Sequence, residues 1–232
     1  MKKIFFLFLI TLIAACDSKQ NDLVVKANIK GLQKGTVYLK RIIDTTIVTV
    51  DSVNVSGNSA IELYSDLDSP EIFYLDLDKK SAEKDRIIFF ADKGITQINT
   101  TLKNFVFDAK IDGSRHQKIL EEYQSVISKI NNRKLDLITE IFDAYKAEDS
   151  VKLEAVEQES NSLLKRKYLY TVNFALNNKD SEVAPYLALS VINDARIDLL
   201  DTISTSLTPS VKLSKYGIEL EQYIKKRKQE KK

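Results

Sequence analysis

Hydrophobic and polar residues follow two different spacings along this chain, and the change comes near residue 113. Before that point, short runs rich in β-branched and aromatic residues recur every eight to twelve residues between polar turns. This spacing is typical of an antiparallel β-sandwich or a barrel-like domain. The predicted strands are DLVVKANI (22–29), GTVYLKRI (35–42), TTIVTVDSVNV (45–55), SAIELYS (59–65), EIFYLDLD (71–78), RIIFFA (86–91), ITQINTTL (95–102) and FVFDAKID (105–112).

After Gly113, apolar residues recur at spacings of three and four, as on one face of an α-helix. Ser114 is a suitable N-cap for a helix over residues 115–147. This helix and a second one over 150–177 are expected to pair as an antiparallel hairpin, with KAEDS as the turn. Further helices are predicted over 181–194, 197–205, 208–213 and 215–228.

Together the two spacings predict an α+β chain. Its N-terminal part, residues 22–112, is an antiparallel β-sandwich or barrel-like domain. Its C-terminal part, residues 113–232, is an all-helical domain that ends in a basic tail.

The first 15 residues have the layout of a secretory signal. Lys2 and Lys3 precede an apolar run over residues 4–13, which is shorter than the roughly 20 residues that span a bilayer. Ile13, Ala14 and Ala15 then precede Cys16, the only cysteine. This group resembles a bacterial lipobox, in which the cysteine is acylated and becomes the new N-terminus. The alternative is an ordinary cleaved signal followed by an unrelated cysteine.

The predicted anchor places the folded part in the cell envelope. Acylated Cys16 would hold the chain on membrane lipid, with the outer membrane favoured and the folded part facing the periplasm or the cell surface. Residues 16–21 would form the lipidated cysteine and a short polar tether.

The charge balance gives no sign of a nucleic-acid partner. The chain has 35 basic and 33 acidic residues, and two of the lysines lie in the predicted signal, so the remainder is balanced. The tail over residues 225–232 is basic, and a solvated, frayed helix end is favoured there over a contact with anionic lipid. A single cysteine also excludes an internal disulfide and a Cys-x-x-Cys redox site.

No residue group carries a strong catalytic pattern. His116, the only histidine, is expected on the surface of the first helix rather than in a catalytic site. Asp76 and Asp78 share one face of a strand, and Asp66 with Asp68 repeats the spacing. Two such pairs would suit Ca²⁺, but their alternation with leucines favours the polar outer face of a half-buried strand. We therefore predict no catalytic residue, no metal and no cofactor, and we leave the ligand-binding residues unassigned.

Several motifs resemble those of a known family. They are Lys30-Gly31-Leu32, Gly35-Thr36-Val37-Tyr38-Leu39, Asp51-Ser52-Val53, Pro70 with Tyr74-Leu75, Phe89 with Gly94, Gly113-Ser114 with Tyr123, and the helical segment SLTPSVKLSKYGIEL, residues 206–220. The chain thereby resembles the domain of unknown function, and the helical segment after it, that precede the thioredoxin-like domain in bacterial envelope thiol:disulfide interchange lipoproteins. The resemblance covers about residues 24–225. The sequence departs from that family at Lys232, where a thioredoxin-like domain would begin; without this domain and its active cysteines, we expect no catalytic residue of the family here.

These observations predict a non-enzymatic binding or accessory module, and a thioredoxin-like protein acting in trans is a candidate partner. One alternative is a lipoprotein that binds a sugar or a peptide in the cleft between its two domains. A weaker alternative is a hydrolase that uses paired carboxylates, which requires acidic side chains to converge in a cleft with at least one shifted pKa.

Overall fold

The structure, a computed structural model, describes residues 22–57, 60–78 and 86–230. Within these ranges the strands lie in the first half and the helices in the second, which confirms the predicted α+β class. The strands are β1 (Leu23–Lys30), β2 (Lys34–Ile43), β3 (Thr46–Ser56), β4 (Ile61–Ser65), β5 (Glu71–Asp78), β6 (Arg86–Ala91), β7 (Gly94–Thr101) and β8 (Lys110–Asp112). The helices are α1 (Arg115–Lys146), α2 (Ser150–Asn177), α3 (Val183–Ser190), α4 (Ile197–Ser206), α5 (Pro209–Lys212) and α6 (Lys215–Glu230).

The strands form two four-stranded sheets that enclose one hydrophobic core. One sheet has the order β4-β1-β7-β8 and the other the order β3-β2-β5-β6. Alternate residues of each strand point inward, as in β1, where Leu23, Val25, Ala27 and Ile29 are buried and every second residue is less so. The sheets also adjoin where β3 meets β4, because the Tyr64 N–H donates a 2.8 Å hydrogen bond to the Asp51 carboxylate.

Two features of the sheets differ from the sequence-based expectation. β1 and β7 pair in parallel, with Leu23 opposite Gly94, so the sheets are mostly but not wholly antiparallel. The predicted strand over residues 105–112 is shortened to β8, because residues 103–108 form turns. In these turns the Thr100 hydroxyl donates a 2.7 Å hydrogen bond to the Phe105 carbonyl, and the Phe105 ring enters the core.

The helices form a hairpin and a small bundle. α1 and α2 pair along Leu137, Val156 and Leu163, while α2, α3, α4 and α6 surround a second apolar core. The predicted helix over 181–194 is shorter, since α3 ends at Ser190. α6 continues to Glu230, and Arg227 Nη1 donates to the Asn193 and Ala195 carbonyls at 2.6 and 2.8 Å. The basic tail is therefore tied to the bundle as far as it is described, and the expectation of a frayed end is wrong there.

A third apolar cluster joins the two halves. Ile72 of β5 and Phe90 of β6 lie on the outer face of their sheet and are buried against α1, α3 and α6. Phe90 packs edge-on against Tyr186 and Tyr216, with ring centroids 5.6 and 5.9 Å apart. The Tyr216 hydroxyl accepts a 3.0 Å hydrogen bond from the Ile72 N–H. The helical half is thus packed on the sandwich through buried contacts.

Gly113 marks the passage from strand to helix and cannot be replaced without strain. Its φ of +98° is in the region that favours glycine. A Cβ there would lie 2.1 Å from the Ile95 carbonyl oxygen of β7. The missing side chain therefore lets the start of α1 lie directly on the sheet.

Candidate functional site

The predicted lipidation site lies outside the described residues. Cys16 and the recognition residues Ile13, Ala14 and Ala15 fall before residue 22, so the anchor stays a prediction. Within the described ranges, no helix combines the length and apolarity needed to cross a membrane.

A concave site lies where the sandwich meets α6, and we call it the junction cleft. It has a volume of about 280 Å³. Its lining residues are Arg41, Ile42, Ile43, Asp44, Asp68, Ser69, Glu71, Lys215 and Glu219. The lining residues between 41 and 71 come from β2, the turn after it, the segment before β5 and the start of β5. Lys215 and Glu219 belong to α6. The cleft is therefore formed by both halves of the molecule.

A buried ion cluster forms the floor of the junction cleft. The Glu71 carboxylate is almost fully buried and accepts a 3.0 Å hydrogen bond from Arg41 Nη1. Lys215 Nζ donates to the same carboxylate and, at 2.6 Å, to the Ile42 carbonyl. A buried carboxylate needs such partners, because desolvation of an unpaired charge is costly. Lys215 thereby fixes α6 against β2 and β5 and holds the cleft in shape.

Besides the exposed Asp44 and Asp68, the cleft is lined by the acidic residue Glu219. It lies one turn after Lys215 on α6 and is half-buried. Burial raises its pKa, Lys215 opposes this rise in part, and the charge of Glu71 adds to it. Within the part of the chain that the structure describes, Glu219 makes no hydrogen bond or ion pair. The cleft thus presents the half-buried Glu219 carboxylate beside the paired Glu71.

A second buried polar cluster, the junction triad, consists of Asp92, His116 and Glu182. His116 Nδ1 lies 2.6 Å from Asp92 Oδ1, and Nε2 lies 2.6 Å from Glu182 Oε2. The imidazole is stacked on the Phe90 ring with a centroid separation of 5.5 Å. His116 is only 7% exposed, so the expectation of a surface histidine is wrong. The tertiary structure buries it, because the first turn of α1 is pressed between the β6–β7 turn and the start of α3.

Electrostatics favour a charged imidazole in the junction triad. Burial alone would lower the pKa of His116, but its bonds to Asp92 and Glu182 raise the pKa to about 9. Burial alone would raise the pKa of Asp92, yet His116, the Arg115 N–H and the Ser114 hydroxyl together lower it. Asp92 also lies at the N-terminus of α1, where the helix dipole favours an anion.

The junction triad is a structural ion cluster rather than a hydrolytic one. Both ring nitrogens of His116 are taken by carboxylates, so neither is open to accept a proton from a nucleophile. The Ser114 hydroxyl donates to Asp92 at 3.0 Å and also accepts from the Gln117 N–H at 3.0 Å, which confirms Ser114 as the N-cap of α1. The arrangement joins the sandwich to two helices.

The aspartate pairs considered for Ca²⁺ are not brought together. Asp76 is buried and held by Arg86, through two hydrogen bonds of 2.7 Å, and by Lys40 at 2.9 Å. Asp66, Asp68 and Asp78 are exposed. Among the described residues, no group of three or more histidine, cysteine and acidic side chains could hold a metal ion. The interpretation of Asp76 as part of an exposed polar face is wrong. Its carboxylate is buried because the ion pairs with Arg86 and Lys40 offset the free energy of desolvation.

The sequence analysis missed Glu71, Lys215 and Glu219. Glu71 is the first residue of β5, and a charged residue directly before an apolar run is the one signal that the sequence offers. Lys215 lies 144 residues further along the chain, and no local spacing connects the two. The two halves of the cleft are related only by the fold.

Comparison with known proteins finds a family match in the strand-rich part of the chain. A search of the curated proteins found no match. Residues 23–120 match the family described as Domain of unknown function (DUF4369). The matched range begins at the first residue of β1, includes every described strand and ends in the second turn of α1. The sandwich with its joining segment is thus the part of the chain that is similar to DUF4369.

Proposed function

We propose that this protein is a lipid-anchored protein of the bacterial cell envelope and that it acts as a non-enzymatic binding module. The anchor would be Cys16, with the folded part facing the periplasm or the cell surface. The observation that carries the binding role is the junction cleft, a concave site between two packed domains, where small ligands commonly bind. The ion cluster of Glu71 supports the proposal because it holds the cleft walls together.

The chemistry of the cleft favours a small ligand with an ammonium group, such as the N-terminus of a short peptide. Glu219 is a half-buried carboxylate that makes no hydrogen bond or ion pair among the described residues, and an ammonium group would supply one. Ile42 and Ile43 offer apolar contact beside it. A volume of about 280 Å³ is at the small end of ligand sites, which suits a dipeptide better than a long chain.

The test is a titration of the full mature protein with dipeptides and with the same dipeptides acetylated at the N-terminus. We expect free dipeptides to bind and to raise the unfolding temperature of the protein. The acetylated dipeptides should neither bind nor raise this temperature. Glu219→Gln should weaken binding at least about tenfold, since it removes a charge-assisted hydrogen bond. Glu221→Gln is the matched control, because Glu221 is an exposed residue of α6 that pairs with Lys225.

Binding should also depend on pH in one direction. The ammonium ligand needs ionised Glu219, whose pKa is raised by burial, so affinity should increase as the pH rises through that value. Equal binding of free and acetylated dipeptides, or no binding of either, would contradict this assignment. Binding of neutral sugars instead would leave a ligand cleft but replace the proposed ligand class.

A second candidate function is that of an accessory to a thioredoxin-like redox protein. The match of residues 23–120 to DUF4369 supports it, together with the resemblance to the front part of thiol:disulfide interchange lipoproteins. In that case the sandwich and the helices would do in trans what the matching parts do beside a redox domain. Co-purification of the acylated protein with a thioredoxin-like protein from native envelope is the expected result. Repeated failure with intact lipoprotein would count against it.

The hydrolase alternative gains one supporting observation, since acidic residues do line the cleft and the pKa of Glu219 is raised. Glu71, however, is engaged by Arg41 and Lys215, and Asp44 and Asp68 are exposed. The cleft therefore lacks a second buried carboxylate that is free to act with Glu219 among the described residues. We rank this alternative last, and it requires turnover that Glu219→Gln abolishes.

A further inference from the structure

A second concave site lies on the other side of α6 from the junction cleft, and we call it the α4–α6 pocket. Its volume is about 350 Å³, which falls within the roughly 300–1,000 Å³ of ordinary ligand sites. Its lining residues, from α4, the end of α5 and α6, are Asp201, Ser204, Thr205, Lys212, Gly217, Glu221, Ile224, Lys225 and Lys228. Gly217 and Glu221 each follow a residue of the junction cleft by two positions, which turns a helix by about 200°. The two sites therefore use opposite sides of α6.

Contacts between the three helices hold the walls of the pocket together. A Cβ at Gly217 would lie 2.0 Å from a carbonyl oxygen of α5, so glycine lets α6 lie directly against α5. Lys212 Nζ donates a 3.0 Å hydrogen bond to the Thr205 carbonyl and so ties α5 to α4. Lys228 Nζ donates to the Asp201 carboxylate at 2.8 Å and ties α6 to α4. The pocket thus lies between elements whose spacing these contacts fix.

The lining of the pocket carries an excess of positive charge. Three lysines and two acidic residues contribute to it. Lys225 pairs with Glu221 at 2.7 Å, and Lys228 pairs with Asp201 at 2.7 Å. Lys212 instead donates to a neutral carbonyl, and in the part of the chain that the structure describes it makes no ion pair. The pocket therefore favours an anionic group, whereas the junction cleft, lined by two cations and four carboxylates, favours a cationic one.

Hydrogen-bond donors remain in the pocket for such an anion. An ammonium group has three N–H donors, and Lys212 uses one of them on the Thr205 carbonyl. The Ser204 hydroxyl is half-buried and makes no hydrogen bond to any described residue. A phosphate group accepts from several donors at once, and lysine binds it as a point charge. Lys212 and Ser204 are therefore suited to hold a phosphate group between α5 and α4.

The carboxylates of the pocket suit the remaining part of such a ligand. Asp201 and Glu221 are each paired with a lysine, which balances their charge, and a carboxylate has lone pairs for further donors. The hydroxyl groups of a polyol would supply these donors. A volume of about 350 Å³ also leaves room for more than a phosphate alone. These features favour a phosphate carried by a small polyol over inorganic phosphate.

We propose that the α4–α6 pocket binds a phosphate group attached to a small polyol, with Lys212 and Ser204 on the phosphate and the two carboxylates on the hydroxyls. This goes beyond the proposed function and uses no residue of the junction cleft. The same chemistry occurs in a free phosphomonoester, such as glycerol 3-phosphate, and in the phosphodiester headgroup of an anionic lipid, such as glycerophosphoglycerol. Separate soluble ligands therefore distinguish the two sources.

Calorimetric titration of the full mature protein tests the proposal with three ligands. They are glycerol 3-phosphate, glycerophosphoglycerol and, as the uncharged control, glycerol. We expect at least one of the two phosphates to bind and glycerol not to bind. Tighter binding of the monoester would identify a free phosphorylated polyol as the ligand, and tighter binding of the diester would identify a lipid headgroup.

Variants locate the bound phosphate. Lys212→Gln should weaken binding at least about tenfold, because it removes the charge that no carboxylate pairs with among the described residues. Its unfolding temperature without ligand should be unchanged, since Lys212 is exposed. Ser204→Ala should weaken binding by a smaller factor, through the loss of one hydrogen bond. Lys226→Gln is the control and should bind as the parent chain does, because Lys226 is exposed on α6 and does not line the pocket.

Several results would overturn the proposal. Binding of neither phosphate would do so, and so would binding of glycerol that is as tight as that of the phosphates. An unchanged affinity in Lys212→Gln would mean that the phosphate binds elsewhere. An equal loss in Lys226→Gln and Lys212→Gln would show a general effect of surface charge instead of a site between α4 and α6.

Discussion

At the scale of single residues, His116 shows how a lone histidine becomes structural. Its two ring nitrogens lie 2.6 Å from Asp92 and from Glu182, which belong to different halves of the molecule. Removing one member of a buried ion cluster lowers the free energy of unfolding by more than the intact cluster contributes to it. The reason is that the remaining charges stay buried without a partner. The charge state of His116 should therefore be linked to the stability of the junction.

The first prediction concerns the pH dependence of stability. The pKa of His116 is raised from 6.5 to about 9 in the folded chain, so its contribution is fully present below pH 6.5 and is lost as the pH rises to 9. Urea unfolding at pH 6 and at pH 9.5 measures the change. The wild-type protein should lose about 3 kcal/mol more than His116→Gln over this interval. Equal losses would show that His116 is not charged in the folded state.

The second prediction compares two glycines with left-handed backbones. Gly113→Ala should destabilise by more than the roughly 1–3 kcal/mol of conformational strain, because its Cβ would also meet the Ile95 carbonyl at 2.1 Å. Gly57→Ala is the control, since its φ is +69° and a Cβ there meets nothing within 4 Å. Thermal unfolding measures both. A similar loss for the two variants would contradict the close approach at Gly113.

At the scale of elements, agreement with the sequence was best where a repeating pattern extended over several turns. The helix predicted over 115–147 is found as Arg115–Lys146, and the one predicted over 150–177 is found as Ser150–Asn177. The predicted strand over 105–112 was wrong in its first part, although FVF is a strong strand pattern. There the chain turns so that Phe105 enters the core, while Phe107 is left 93% exposed.

The third prediction concerns the attachment of α6 to β5. Tyr216→Phe removes the acceptor of the buried Ile72 N–H and should cost about 1–3 kcal/mol, because that donor is left without a partner. Tyr223→Phe is a control on the same helix, since the Tyr223 hydroxyl donates at 2.9 Å to a carbonyl in an exposed position. Its cost should be smaller. Comparable costs would show that the Ile72 bond does not stabilise the junction.

Hydrogen exchange of the Ile72 amide gives a second measurement of the same contact. In the wild-type protein this amide should exchange only when the two halves separate, because it is buried in the third apolar cluster. In Tyr216→Phe its protection should fall, while that of amides in the β1–β7 pair should not. Exchange that is fast already in the wild-type protein would contradict a tightly packed junction.

At the scale of the whole molecule, the fold positions three separate features. The junction triad and the ion cluster of Glu71 hold the helices on the sandwich, and the junction cleft lies above that ion cluster. The exposed apolar residues of α1 lie beyond the part of this helix that contacts the sandwich; they are Leu135, Ile138, Phe142 and Tyr145.

The fourth prediction concerns the anchor. Cys16→Ser should move the protein from the membrane fraction to the soluble fraction or block its processing, because the acylated thiol is lost. The fold should be unchanged, since residue 16 precedes β1 along the chain. Fractionation and labelling with a radioactive fatty acid measure the effect. A variant that is still labelled and still membrane-bound would contradict the lipobox.

The sequence by itself determined the features that depend on neighbours along the chain. A spacing of two or of three and four residues reports which side of a strand or helix is apolar, and this set the order of elements and the α+β class. The lipobox pattern is local in the same way, and it predicts the anchor without a fold.

Only the tertiary structure decided which polar residues are buried together. His116, Asp76 and Glu71 look like surface residues in the sequence, because burial of a charge depends on partners that are distant in the chain. Glu71 and Lys215 are 144 residues apart, and His116 and Glu182 are 66 apart. The same applies to the outer half of α1, where an apolar row with the spacing of a core helix is exposed because α2 covers only one face of α1.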